Sequence, residues 1–266
     1  MTGRPRPRAP RRRRDAPALA AAGLAVVVLG ACSGAGGGSD DEAGRTLTVF
    51  AAASLTEAFT EIAAEVEQAH PGVTVRLSFD GSSGLVDQIV GGAPADVLAT
   101  ADEQTMARAT DAGFVAGAPR VFATNVLTLV TPAGNPAGVT GLDGSLDGTR
   151  LVVCAEAVPC GAATRALAAR AGVGLEPVSE ETSVTDVRGK VASGEADAGV
   201  VYTTDAAAAG DAVDEIPIAG ADASPNRYPI AALAGAADAD LAADFLDAVT
   251  GPPGREVLER HGFGAP

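Results

Sequence analysis

The sequence is short of aromatic residues: Phe, Tyr and Trp together make up 3% of its 266 residues, and Trp is missing altogether. Cores must therefore be built from Ala, Val, Leu and Ile, and a stacking site for a sugar or a nucleobase is disfavoured. Only two histidines, His70 and His261, and two tyrosines, Tyr202 and Tyr228, are present. That scarcity argues against an iron site made of tyrosine pairs or histidine clusters. It also leaves few bases for a secreted hydrolase, which needs a nucleophile, a base and an orienting group. No Gly-x-Ser-x-Gly elbow occurs, since Gly81-Ser-Ser-Gly and Gly144-Ser-Leu-Asp-Gly both miss the pattern. The hydrolase reading stays a distant alternative, and the chain is expected not to be an enzyme.

Basic residues are scarce as well, except at the start. Seven arginines stand within residues 4–14, and an apolar run follows from Ala16 to Leu29. A basic segment, a short apolar segment and small residues before a cut mark an export signal. The run is too short for a comfortable membrane span. Leu29-Gly30-Ala31-Cys32 resembles the bacterial lipoprotein box, in which the cysteine becomes the lipidated first residue. On that resemblance 1–31 is a lipoprotein signal peptide, Cys32 carries the lipid, and the Ser/Gly/Asp-rich segment 32–45 is a flexible tether. The expected location is the outer face of the cytoplasmic membrane. An ordinary signal peptide with an incidental cysteine is the other reading.

Removing residues 1–31 leaves 12 Lys+Arg against 33 Asp+Glu, a net charge of −21. So acidic a body lacks the basic footprint that nucleic acid requires. It also offers no global attraction for an anion, so any anion site must work through local hydrogen bonds and backbone dipoles. Two cysteines remain, Cys154 and Cys160. Export places them in an oxidising compartment, where a disulfide is the default. A metal site is the weaker reading, because neither histidine is near them in sequence.

Strand and helix signals alternate along the rest of the chain. Strands are expected at 46–51, 73–79, 96–100, 122–130, 151–153, 198–202, 213–218 and 228–233. Helices are expected at 54–70, from the Gly81–Gly84 turn to Gly91, and at 102–112, 162–170, 184–193, 204–209, 238–249 and 253–261. Ser54-x-x-Glu57 reads as a capping box that starts its helix at Ser54. The alternation implies an α/β fold with mostly parallel sheets. About 220 residues are many for one doubly wound sheet, so two lobes with strands crossing between them are expected.

Several of these helices open with the chemistry of an anion site. A helix N-terminus presents unpaired N–H groups and the positive end of its dipole, serine hydroxyls add donors, and glycine allows close approach. Ser54, Ser82-Ser83, Cys160-Gly161 and Thr185-Asp186-Val187 stand at such positions. Taken alone each is ordinary, since Ser is a routine N-cap.

Taken together they match a family pattern. The stretch from Thr48 through Ala53-Ser54 to Phe59 resembles the opening of periplasmic molybdate-binding proteins, the solute-binding components of ABC importers. Phe79-Asp-Gly-Ser82-Ser83-Gly-Leu85, Gly91-Gly-Ala-Pro-Ala-Asp96, Val158-Pro-Cys160-Gly161, Asp186-Val187-Arg188, Gly199-Val-Val-Tyr202 and Arg260-His-Gly-Phe263 follow in the family's order. The resemblance covers roughly 46–264. It implies a periplasmic-binding-protein type II-like fold, with a first lobe at 46–124, a second at 125–224 and a return to the first at 225–266. The crossings would lie near 122–128 and 222–229.

The resemblance also implies a site. Ser54 and Ser82 of one lobe, the backbone of Cys160 and Val187 of the other, and the Tyr202 hydroxyl would hold the oxyanion. The backbone amides of Ala53 and Ser83 are further candidates. Cys160 departs from the small residue usual at its position, which a backbone donor tolerates. Molybdate is a fully deprotonated dianion at neutral pH, so a matched site offers only donors; tungstate is nearly isosteric. Sulfate presents the same acceptors in a smaller tetrahedron. Asp80 and Asp186 lie near the loops, which keeps protonated phosphate open as an alternative. Arg188 reads as a solvated helix residue paired with a surface carboxylate. No cofactor is expected. The implied partners are the oxyanion, an ABC permease with its ATPase, and the membrane through the lipid; the protein is expected to be a monomer.

Overall fold

The structure, a computed structural model, describes residues 44–266. The expected signal peptide, the Cys32 lipidation site and nearly all of the tether lie outside the described residues.

The first half of the chain runs β1 (Arg45–Ala52), α1 (Thr56–Ala69), β2 (Val73–Asp80), α2 (Ser82–Val90), β3 (Val97–Ala99), α3 (Glu103–Asp111) and β4 (Val115–Asn125). It continues with β5 (Leu127–Pro132), β6 (Leu151–Cys154), α4 (Pro159–Ala171), β7 (Ser179–Glu181), α5 (Val184–Ala192), β8 (Ala198–Tyr202), α6 (Thr203–Ala209) and β9 (Val213–Pro217). β10 (Asn226–Leu233), α7 (Ala239–Thr250) and α8 (Pro252–Arg260) complete it.

Two five-stranded sheets result. The first has the order β2-β1-β3-β10-β4 and the second β7-β6-β8-β5-β9. The alternation along β1 shows why the first sheet is covered on both sides. Leu47, Val49 and Ala51 join one core with Phe59 and Ile62 of α1, Phe245 of α7 and Leu258 of α8. Phe50 turns the other way, into a core with Leu85 and Ile89 of α2 and Met106 of α3. The second sheet is built around Leu129, Val152, Val153, Val200 and Val201, with Leu167 of α4 and Val187 and Val191 of α5 laid over it. The core of the second sheet is aliphatic apart from Tyr202, while the first gathers Phe59, Phe122, Tyr228, Phe245 and Phe263.

Two expectations need correction. The sheets are mixed rather than mostly parallel. β1 is parallel to β2 and β3, but β10 runs antiparallel to β3 and β4. Likewise β6 is parallel to β7 and β8, but β5 is antiparallel to β8 and β9. The strands that carry the chain between sheets, β5 and β10, must enter against the direction of the right-handed βα units.

The apolar run 122–130 is not one strand. It breaks at Val126 and delivers β4 to the first sheet and β5 to the second. The side chain of Asn125 supplies the reason: its Oδ1 accepts the Val126 N–H at 3.0 Å, replacing a ladder bond. The Val126 carbonyl accepts from Thr203 N at 2.9 Å. The polar strand β7 was not read from sequence, because Ser-Glu-Glu carries no apolar alternation.

Candidate functional site

In open α/β sheets a ligand sits beyond the carboxyl ends of the strands. Here residues at or just after the ends of β1, β2, β3, β6, β7 and β8 converge on one small cavity between the two sheets. Ala52, Ala53 and Ser54 come from the end of β1 and the 3-10 turn after it; Gly81, Ser82 and Ala101 complete the first half of the wall. Val158, Pro159, Cys160, Val184 and Tyr202 form the second half. The cavity measures about 20 Å³. One water needs roughly 10–15 Å³ and organic ligands occupy pockets of roughly 300–1,000 Å³, so the space is far too small for an organic ligand.

No charged side chain stands on this wall. Its polarity comes from donors. The Ser82 Oγ accepts the Ala101 N–H at 3.0 Å, which leaves its own proton for another acceptor. The Ser54 Oγ lies 2.9 Å from the Tyr228 hydroxyl. The Tyr202 hydroxyl is buried, and among the described residues no group meets it in hydrogen-bond geometry. Burial pushes the Tyr202 phenol well above its ordinary value, so it remains a neutral O–H donor. The first amides of α2, α4 and α5 have no partner within their own helices, and all three helix ends meet the cavity through Ser82, Cys160 and Val184. Their dipoles add positive potential without any formal charge.

Cys154 and Cys160 are disulfide-bonded, with Cα atoms 5.7 Å apart. The bond ties the end of β6 to the first turn of α4, whose amides face the cavity. Gly161 has no room for a side chain, because a Cβ there would overlap the Ala155 carbonyl.

The two halves of the wall are in contact. The Ser83 hydroxyl donates to the Ala157 carbonyl of the other half at 2.6 Å. A Cβ added to Gly81 would overlap the Thr182 carbonyl. Arg188 of α5 reaches Glu57 of α1 at 3.2 Å and stands 3.9 Å from Asp205. Asp205 is fully buried at the start of α6, and its Oδ2 accepts the Tyr202 N–H at 3.3 Å. Burial pushes its carboxyl up to about 7, opposed by the Arg188 guanidinium and that N–H.

A larger cavity, of about 400 Å³, lies on the far side of Ser54, between α1, α6 and the C-terminal tail. Its rim holds Glu57, Arg260 and His261. Glu61 already engages both basic side chains there, meeting His261 Nε2 at 2.9 Å and Arg260 at closer range. The converging helix ends are elsewhere.

A profile described as bacterial extracellular solute-binding protein matches residues 47–264. The molybdate-binding protein ModA of Mycobacterium tuberculosis is 44% identical over 84% of this chain and 85% of its own length. ModA of Escherichia coli is 34% identical over 82% of this chain and 88% of its own. The chain belongs to the molybdate-binding family of bacterial extracellular solute-binding proteins. A solved structure, the periplasmic molybdate-binding protein of Azotobacter vinelandii, matches with a TM-score of 0.73 at 23% identity. It covers 83% of this chain and 99% of that one, and at this identity the likeness speaks for the fold.

Within this solute-binding protein, Ala53, Ser54, Ser82, Cys160 and Tyr202 stand together on the wall. Two expected residues stand differently. The Val187 side chain is not on it: it is fully buried and packs beside Gly199 under the second sheet, at the fourth position of α5. Val184, three residues earlier in the same turn, lines the wall. Ser83 is also off the wall, with its hydroxyl spent on Ala157. The capping box is absent too. Ser54 lies in a 3-10 turn with its hydroxyl on Tyr228, and Glu57 turns to Arg188. Arg188 thus pairs with a carboxylate as expected, but it does so across the cleft and with its own side chain largely covered. Asp80 and Asp186 are off the wall, engaged by the Gly81 N–H and the Ser183 hydroxyl. The sequence reading missed Ala101, Val184, Asn125 and Tyr228. None carried a motif, and only the Asn125 interruption of an apolar run was a signal.

Proposed function

We propose that this protein captures molybdate, and its near-isostere tungstate, outside the cytoplasmic membrane and delivers the ion to an ABC permease. The observation that carries the reading is the small cavity walled by hydroxyls and three helix ends, with no charged side chain on it. A deprotonated tetrahedral dianion offers only acceptors, and such a wall offers donors. Ser54, Ser82 and Tyr202 would give O–H groups, and the amides of Ala53, Cys160 and the first turn of α5 would give N–H groups. A carboxylate on the wall would have favoured a protonated phosphate. The 44% identity to the mycobacterial molybdate-binding protein supports the same ion.

Capture proceeds by hinge closure about the Asn125–Leu127 crossing and the return into β10. The first lobe binds with Ser54 and Ser82, and the second brings Cys160, the α5 end and Tyr202. A lipid on Cys32 would hold the protein beside its permease. The lipoprotein-like sequence around Cys32 supports that anchor.

The test is a thermal-shift and calorimetry panel of molybdate, tungstate, sulfate and phosphate on the purified exported chain. Molybdate and tungstate should raise the melting temperature through preferential binding to the native state. A shift with sulfate or phosphate alone would reject the reading.

A further inference from the structure

Ser54 can serve a donor-only site if its oxygen is itself occupied by a donor, as Ser82 is by the Ala101 N–H. Among the described residues the partner of the Ser54 hydroxyl is the Tyr228 hydroxyl, 174 residues away in sequence, and either oxygen could be the donor. The surroundings decide the direction. The Asn125 Oδ1 accepts the Val126 N–H at 3.0 Å and the Thr203 hydroxyl at 3.2 Å. A backbone N–H can only donate, so the amide orientation of Asn125 is set and its Nδ2 faces the other way. That Nδ2 donates to Thr204 Oγ1 at 2.8 Å and to the Tyr228 hydroxyl oxygen at 3.4 Å. A hydroxyl oxygen can accept twice, but with one acceptance already made, the arrangement that keeps the Tyr228 proton bonded places it on Ser54 and leaves the Ser54 proton free to point into the cavity. Asn125 and Tyr228 are 2% and 0% exposed, so no bulk water competes for these bonds.

We infer that Asn125 and Tyr228 are positioning residues that fix Ser54 as a hydrogen-bond donor and so select deprotonated oxyanions over protonated ones. The inference rests on the oxyanion-binding function proposed above. Both serines of the first half then share one arrangement: an obligate donor consumes the serine oxygen, and the serine proton is left for the ligand. The source differs, a backbone amide for Ser82 and a side-chain relay that starts at the crossing between the sheets for Ser54. Without the Tyr228 hydroxyl, Ser54 can rotate and accept a proton from the ligand, as a hydrogen phosphate would require.

The experiment is a double-mutant cycle with Tyr228→Phe and Ser54→Ala, each variant titrated calorimetrically with molybdate, sulfate and phosphate at pH 7. Tyr228→Phe should weaken the preferred deprotonated oxyanion about tenfold and narrow its margin over phosphate by at least as much. In the Ser54→Ala background the same change should have no further effect on that ion. A structural role would instead add its loss in both backgrounds and leave the phosphate margin unmoved; either result overturns the relay. Melting of the ligand-free variants reports the fold separately. Should Tyr228→Phe not fold, Asn125→Ala takes its place in the cycle with the same expectations. Wild type binding sulfate but not molybdate would overturn the molybdate reading, and the cycle run on sulfate would still decide the relay. Wild type binding none of the three would overturn both.

Discussion

Arg188 and Glu57 join the two halves of the protein: the guanidinium on α5 meets the carboxylate on α1 at 3.2 Å, with the buried Asp205 behind it at 3.9 Å. On the proposed hinge closure, the pair would form as the lobes meet. It is partly exposed, with side chains 21% and 38% accessible, so it contributes about 0.2–1 kcal/mol. Arg188→Gln should lower the affinity for the bound ion up to about fivefold. The difference from wild type should shrink between low and high salt. Calorimetry at two ionic strengths checks both statements.

Asp205 makes a pH prediction with a definite sign. Its folded value of about 7 lies above that of an unfolded carboxyl. Between about pH 4 and 7 the native state holds a proton that the unfolded chain has lost. Its contribution to stability therefore falls as pH rises through that window, approaching about 1.4 kcal/mol per pH unit. Asp205→Asn should remove this part of the slope. Urea midpoints of both proteins from pH 4.5 to 8 should diverge, with the variant gaining on wild type toward pH 8. Parallel curves would contradict the prediction.

Reducing the Cys154–Cys160 bond should have two effects. It closes a short loop, so its loss should cost about 2 kcal/mol, seen as a lower melting temperature with dithiothreitol. It also anchors the first turn of α4, so the paired Cys→Ser variant should bind more weakly even where it is fully folded.

Gly81→Ala separates folding from closure. Gly81 has φ −57°, which alanine adopts freely, but its added Cβ would overlap the Thr182 carbonyl of the other half. The ligand-free melting temperature should stay within a few degrees of wild type, while affinity should fall more than about tenfold. Unchanged affinity would show that the lobes need not approach this closely.

Ser82→Ala should cost about 1.5–3 kcal/mol of binding, as a hydrogen bond to a charged group is lost. Ser54→Ala should cost a similar amount. Tyr202→Phe should cost less if a water takes the place of the hydroxyl.

Much of the fold was legible because the β-α alternation from β1 to α3 is local: a strand period, a cap, an apolar helix face. The break at Val126 was not, since an apolar run reads the same whether it feeds one sheet or two, and only the Asn125 side chain ends the ladder. Ser54-x-x-Glu57 has the form of a cap, yet tertiary partners claimed both side chains. The motif around Val187 points to the right helix, and the side chain of that turn that meets the cavity is Val184. Tyr228 sits among apolar strand residues, where a single tyrosine reads as core. Val158 to Gly161 gave the position of the α4 end, and the disulfide beside it followed from export alone.

The uncharged wall around the cavity carries one more implication. A dianion held there finds dipoles but no countercharge, so the cost of stripping its water weighs heavily against whatever it gains. That cost is smaller for an ion whose two charges are spread over a broader shell. Dehydration would therefore rank candidate ions by radius before fit is considered, and the smallest tetrahedra would be turned away at the entrance.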